Sequence, residues 1–254
     1  MTGNGEFEGR VAVVTGGGRG IGRAICMGLS ERGARVVVAD IRGEKAREAA
    51  AALPAGGIGV EADVASEESV RSLFDAAERE YGRVDFLVNN AAIMLDVPVA
   101  FKPFWETPLE EWTRMMAVNV GGVFLCCKHA KPLMEKEGGR VINISSDAIW
   151  KGYESQLHYF ASKGAVAVMT RNLARELGPF NINVNAIAPG YTLSDAVLDS
   201  PDMQGVRHLV MNSCCIKRDQ HPEDVAGAAV FLCSGAAACI TGQSIVVNCG
   251  AIMP

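Results

Sequence analysis

The stretch "RVAVVTGGGRGIGRAICMGLSERGARVVVAD" runs from Arg10 to Asp40, and the fold is decided by how it is read. Arg10–Gly16 is a short apolar run ending in glycine, which fits a strand buried on both faces of a parallel sheet. Glycines crowd the turn that follows. Ile21, Ala24, Ile25, Gly28 and Leu29 then share one helical face, and Gly33 stops the helix. A second apolar run ends on Asp40.

The alternation continues along the chain. A charged, Ala-rich helix is expected from Arg42 to Leu53, then the strand "GIGVEADV". The helix "EESVRSLFDAAEREYG" sets Val70, Leu73, Phe74 and Ala77 at helical spacing, and "VDFLVNNAA" is the next strand. Thr107 is expected to cap a helix with Pro108 at its first position and Glu110 and Glu111 in its first turn. "GRVINISS" is a strand. The helix "LHYFASKGAVAVMTRNLAREL" carries Val166, Met169, Thr170, Leu173 and Leu177 on one face, with Gly178 and Pro179 as its stop. "INVNAIAPG", "PEDVAGAAVFLC" and "SIVVNCG" read as strand, helix and strand. Seven strands with helices between them call for an α/β fold: a doubly wound, Rossmann-type parallel sheet covered on both faces. No linker or repeat interrupts it, so residues 1–254 are expected to form a single domain.

Composition excludes several classes. The 254 residues are 49% hydrophobic and 21% charged, with a net charge of −5. No basic block stands out, which argues against nucleic acid or an anionic membrane as partner. No apolar run is long enough to span a bilayer, and the N-terminus lacks the apolar core of a signal peptide. The eight cysteines include no C-x-x-C pair and no accompanying His cluster, so no metal site is expected. Most read as small core residues of a reducing cytoplasm. The sequon at Asn143 falls inside an apolar strand and is set aside.

"TGGGRGIG" (Thr15–Gly22) joins the first strand to the first helix. Glycines there allow a tight turn and close approach of a pyrophosphate, and the helix N-terminus offers free N–H groups. Asp40 lies 18 residues after Gly22. A carboxylate at that place accepts hydrogen bonds from ribose hydroxyls and repels a 2′-phosphate, which favours NAD over NADP. Arg19 and Arg42 pull the other way. "YFASK" places Tyr159 and Lys163 one helical turn apart. An ammonium beside a phenol lowers the phenol's pKa and makes a general acid/base.

These motifs together resemble the short-chain dehydrogenase/reductase family, over nearly the whole chain. The family's T-G-x-x-x-G-x-G is matched by Thr15, Gly16, Gly20 and Gly22. Asp63-Val64 resembles its adenine-side pair, and Asn89–Ala92 its N-N-A-G, with Ala92 in place of glycine. Asn119 matches the helix asparagine. Ser146, thirteen residues before Tyr159, matches the family's serine, and Pro189-Gly190 its turn beside the nicotinamide. The C-terminal "ITGQSIVVNCG" departs from the pattern with Asn248 and Cys249 for Asp and Gly, which puts the packing there in question.

The resemblance implies an NAD-dependent oxidoreductase acting on a secondary alcohol or ketone. Tyr159 would be the acid/base. Lys163 would lower its pKa and bind ribose, Ser146 would position the oxygen, and Asn119 would support a proton relay. Adjacent strand positions face opposite ways, so Ser146 and Ser145 are rivals, and the spacing selects Ser146. The cofactor contacts implied are Gly16, Arg19, Gly20, Ile21, Gly22, Asp40, Ile41, Asp63, Val64, Asn90, Ala91, Ala92, Tyr159, Lys163, Pro189, Gly190 and Thr192.

Two loops, 93–112 and 147–158, read as substrate-facing, and 191–215 as a lid. Met94, Leu95, Phe101, Phe104 and Trp105 in the first loop, with Trp150 and Tyr153 in the second, predict a hydrophobic or aryl substrate; Tyr191 adds to them. Met94, Ser146, Trp150, Tyr153, Tyr159 and Tyr191 are the expected substrate contacts. His158 is expected to face solvent at the start of its helix. An NADPH-dependent 3-oxoacyl-thioester reductase is the rival enzyme, and a non-catalytic NAD-binding scaffold the rival class. The resemblance also implies a homotetramer, or a dimer.

Overall fold

The computed structural model describes residues 5–94, 103–152 and 154–254. Seven parallel strands form one sheet: β1 (Val11–Thr15), β2 (Arg35–Asp40), β3 (Gly57–Glu61), β4 (Phe86–Asn89), β5 (Gly139–Ile144), β6 (Ile182–Pro189) and β7 (Ser244–Val247). Their order is β3-β2-β1-β4-β5-β6-β7. The chain therefore winds outward in both directions from β1, and the winding reverses between β1 and β4. Ligands of such sheets bind outside the carboxyl ends of the strands at that reversal.

Helices α1 (Gly20–Ser30), α2 (Gly43–Ala51), α3 (Glu67–Tyr81), α4 (Leu109–Met116), α5 (Gly122–Met134), α6 (Leu157–Leu177), α7 (Asp195–Leu198), α8 (Pro201–Ser213) and α9 (Pro222–Cys233) connect the strands. Alternation along each strand assigns side chains to the two faces. Ala12 and Val14 of β1 pack with Ile25 and Leu29 of α1 and Val225 and Val230 of α9. Val11 and Val13 pack on the other face with Leu73 of α3, Cys126 of α5 and Val166 of α6.

Several local readings need correction. Pro108 is the N-cap of α4, and Leu109 its first residue. The expected stop of α6 holds. The helix ends at Leu177 with Gly178 as its C-cap, and a 3-10 turn follows, ending where Asn181 adopts a left-handed φ of 57°. Cys215 and Cys239 are exposed rather than core residues. His158 is 1% exposed, buried beside Glu111 with Nε2 3.0 Å from its carboxylate. The lid segment is largely helical, as α7 and α8, because Ser200 caps α8 by accepting from the Met203 N–H.

A buried polar thread fastens α6 to the sheet. Asn89 Nδ2 donates to Asn143 Oδ1 (2.8 Å), Asn143 Nδ2 to Thr170 Oγ1 (2.9 Å), and Thr170 Oγ1 to the Val166 carbonyl (2.9 Å). It links β4, β5 and α6 in a place where unsatisfied groups are costly. Thr170→Val leaves the Asn143 amide without its acceptor and is expected to lower the unfolding free energy by about 1–3 kcal/mol, read by urea denaturation. An unchanged midpoint would show that the thread is dispensable.

Candidate active site

A cleft of about 1200 Å³ opens over the carboxyl ends of the strands. One end is built by the glycine turn. Gly16 has φ 62°, and a Cβ there would come within 2.9 Å of the Ala91 Cα. A Cβ on Gly22 would fall 2.2 Å from the Gly16 carbonyl oxygen. Only glycine lets the turn and the α1 N-terminus approach this closely. Asn90 Nδ2 locks the turn by donating to the carbonyls of Thr15 (2.9 Å) and Gly16 (3.0 Å).

The N-terminus of α1 has no side-chain cap of its own and no acid in its first turn. Its Gly20 N–H donates instead to Asp195 Oδ2 of α7, at 2.9 Å. A carboxylate oxygen thus takes the position that suits a phosphate oxygen, as the dipole and free N–H groups of a helix start favour. Asp40 closes β2 and is 6% exposed. Its carboxylate accepts from the N–H groups of Gly18 and Arg42, both at 3.0 Å, and Arg42 Nε lies 3.6 Å away. Asp40 therefore caps its turn and lines the cleft at once. The turn, the helix start and this carboxylate fit the pyrophosphate and ribose of a dinucleotide.

The other end is built by β5 and α6. Lys163 Nζ donates to the Ile144 carbonyl and Ser145 Oγ to the Lys163 carbonyl, both at 2.9 Å. Ser145 is thus a structural residue facing the helix. Ser146 accepts from the Ala148 N–H through Oγ (3.2 Å) and hydrogen-bonds Tyr159. Tyr159 and Lys163 are 8% and 4% exposed, and Lys163 Nζ lies 5.9 Å from the Tyr159 ring centre.

The expected lowering of the Tyr159 pKa by Lys163 is not found. Burial pushes the phenol up to about 12, opposed by a hydrogen bond from Ser146 and reinforced by the Asp147 carboxylate. Burial pulls the Lys163 ammonium down to about 8. Burial is the largest cause for both groups, because each loses water that would solvate its charged form.

Every cofactor contact expected from the sequence lines this cleft, from Gly16 and Ile41 to Thr192. Ser146, Met94 and Tyr191 line it too. Asn119 does not. It is 1% exposed in a π-helical turn, Ala117–Gly121, between α4 and α5. Its Oδ1 accepts from the Ile93 N–H (2.9 Å), and its Nδ2 donates to the Ile93 carbonyl (3.1 Å) and Ser162 Oγ (3.0 Å). Its side chain ties the start of the 93–112 loop to α6.

Among the described residues the aromatic lining is Tyr159, Phe160 and Tyr191, not the expected tryptophans. Trp150, Phe104 and Trp105 are not in the cleft wall, and the latter two are 60% and 72% exposed. Leu95, Phe101 and Tyr153 lie outside the described residues. The 147–158 loop does line the cleft, through Asp147, Lys151 and Gln156 rather than the aromatics singled out from the sequence. The signal available was position: the segment between Ser146 and Tyr159 cannot avoid the cleft. The sequence reading missed the face of α8 that carries Met203, Val206 and Val210 into it. Among the described residues no cluster of metal-ligating side chains occurs.

Residues 16–251 match a family model described as enoyl-(acyl carrier protein) reductase. A probable short-chain type dehydrogenase/reductase of Bradyrhizobium diazoefficiens is 39% identical over 97% of this chain and 88% of its own. The 3-oxoacyl-(acyl-carrier-protein) reductase of Aquifex aeolicus is 35% identical over 96% of this chain and 98% of its own. A solved 7α-hydroxysteroid dehydrogenase, complexed with NADH and 7-oxo glycochenodeoxycholic acid, superposes with a TM-score of 0.90 at 34% identity, over 99% of this chain and 97% of that one. The chain belongs to the short-chain dehydrogenase/reductase family. It has the family's oxidoreductase fold, and the solved hydroxysteroid dehydrogenase it resembles holds NADH.

The depressed Lys163 gives a stability test. Below pH 8 the folded state holds a buried ammonium that the unfolded state solvates freely, so the charge destabilises the fold. That cost fades as pH rises from about 8 to 10.5. Lys163→Met also loses the bond to the Ile144 carbonyl, so the test is the slope: the wild type is expected to gain melting temperature relative to the variant as pH rises from about 8 to 10.5. A difference that stays constant across that window would contradict the argument.

Proposed function

We propose that the protein is an NAD-dependent dehydrogenase of secondary alcohols, acting reversibly on the matching ketones. The observation that carries this reading is the burial of Ser146, Tyr159 and Lys163 in one cleft with the glycine turn and Asp40. A bound nicotinamide supplies the hydride chemistry; the chain supplies the proton and the alignment. Tyr159 takes the proton of the substrate hydroxyl at its phenolic oxygen, or returns it to a carbonyl. Ser146 Oγ donates to the substrate oxygen and holds charge that develops there. Lys163 supplies positive charge beneath Tyr159 and a donor to the nicotinamide ribose.

Asp40 supports NAD over NADP. It is buried, so a 2′-phosphate beside it would meet like charge, offset only in part by Arg42 Nε at 3.6 Å. The rival, an NADPH-dependent 3-oxoacyl-thioester reductase, draws on the Aquifex relative and on Arg19 and Arg42, which line the same end of the cleft. The apolar face of α8 supports a hydrophobic body on the substrate.

Reduction of NAD⁺ and of NADP⁺ over a panel of aryl and alkyl secondary alcohols, with Tyr159→Phe alongside, decides between these readings. Turnover with NAD⁺ is expected, falling at least about a hundredfold in Tyr159→Phe while NADH binding persists. Preference for NADP⁺ would favour the reductase. NADH binding without turnover would favour a scaffold.

Self-association belongs to the same reading. Phe124 of α5 and Val168 of α6 are 54% and 56% exposed, apolar surface that pairing of chains would cover. Light scattering is expected to give four times the 26.9 kDa chain mass; a monomer would refute this.

A further inference from the structure

The wall of the cleft beyond Ser146 carries a buried ion pair that the proposed chemistry does not use. Lys151 Nζ lies 2.7 Å from Asp147 Oδ2, with the two side chains 11% and 5% exposed. Asn248 Nδ2 donates to the same Oδ2 at 3.2 Å. A Cβ on Gly190 would lie 3.2 Å from it. The loops after β5, β6 and β7 thus meet on one carboxylate. Gln156, 7% exposed, lines the same cleft, and its Nε2 has no hydrogen-bond partner among the described residues.

A buried ion pair gains little stability over well-packed apolar side chains. The orphan Gln156 amide lining the same cleft adds a cost. Both features are accounted for by a polar group on the substrate. The pair is neutral overall, so an anion would meet Asp147 and a cation would meet Lys151. A hydroxyl both donates and accepts, and matches the two together. A carboxylate has about four acceptor positions, of which Lys151 and Asn248 take two on Asp147.

We propose that Asp147, Lys151 and Gln156 form a subsite for a second oxygen next to the reacting carbon. The substrate is then a vicinal diol, or the corresponding α-hydroxy ketone, with an apolar body against α8. This rests on the dehydrogenase reading above and narrows its substrate class. A site built to bond a hydroxyl discriminates strongly against the analogue that lacks it, because its own polar groups are left unpaired.

The test compares 1-phenylpropane-1,2-diol with 1-phenylpropan-1-ol and 1-phenylpropan-2-ol, by kcat/KM with NAD⁺ and by calorimetry on the NADH-loaded protein. The wild type is expected to favour the diol by at least about a hundredfold. In Lys151→Met and in Asp147→Asn that ratio should fall towards one. Asp147→Asn keeps the side-chain volume should Lys151→Met fold poorly. A merely structural pair would depress all three substrates equally and leave the ratio unchanged, which would overturn the proposal. So would equal wild-type rates, or neither turnover nor binding of the diol. NADH binding in the same titration, and the loss of mono-alcohol turnover in Tyr159→Phe, judge the dehydrogenase reading separately.

Discussion

Two reciprocal hydrogen bonds hold the cleft together: Lys163 Nζ to the Ile144 carbonyl at the end of β5, and Ser145 Oγ back to the Lys163 carbonyl. They set where α6 begins relative to the sheet, and so where Tyr159 stands over Ser146. Asn119 holds the same turn of α6 from the other side, through Ser162. The Asn89–Asn143–Thr170 thread fixes the helix about two turns further on. The apolar faces of α6 would tolerate small slides along the strands; this set of directional bonds in a dry interior does not.

The same burial creates the electrical tension of the site. A phenol pushed up to about 12 and an ammonium pulled down to about 8 are each displaced away from their charged forms. The fold sustains this because the large apolar clusters on both faces of the sheet contribute the stability. Function and stability therefore draw on different residues, with Lys163 the point where they oppose each other. Cys249 marks a second strained position. It sits at φ 54°, a conformation that favours glycine, where relatives of the family pattern carry one. Asn248 beside it turns back to bond Asp147 and the Ile252 carbonyl.

Much of this was legible in the sequence because it depends on short-range pattern. Apolar runs of five or six residues ending at Gly16 and Asp40 mark strands; helical periodicity between them marks crossovers; the glycines at 16, 20 and 22 mark a turn that side chains would block. The site was legible where spacing along one element fixes geometry, as for Tyr159 and Lys163 one turn apart. It was not legible where exposure decides. Trp105 and Trp150 look like pocket aromatics by composition, yet stand outside the cleft wall. His158 looks like a solvent residue at a helix start, yet packs under α4 against Glu111. The Tyr159 shift in this structure follows burial, and no spacing along the chain reports how buried a side chain will be.

The sequence by itself determined the parallel α/β architecture, the glycine turn and the acid at the end of β2, and it singled out Ser146, Tyr159 and Lys163 as the candidate set. These follow from periodicity, chain direction and residue chemistry within a few turns of backbone. Only the tertiary structure decided that Asp195 reaches Gly20 across 175 positions, that Asn248 reaches Asp147 across 101, and that Asn119 spends its side chain on Ile93 and Ser162. Those contacts join loops at the carboxyl ends of different strands. Their partners are chosen by the order of strands in the sheet, and that order is a property of the folded whole.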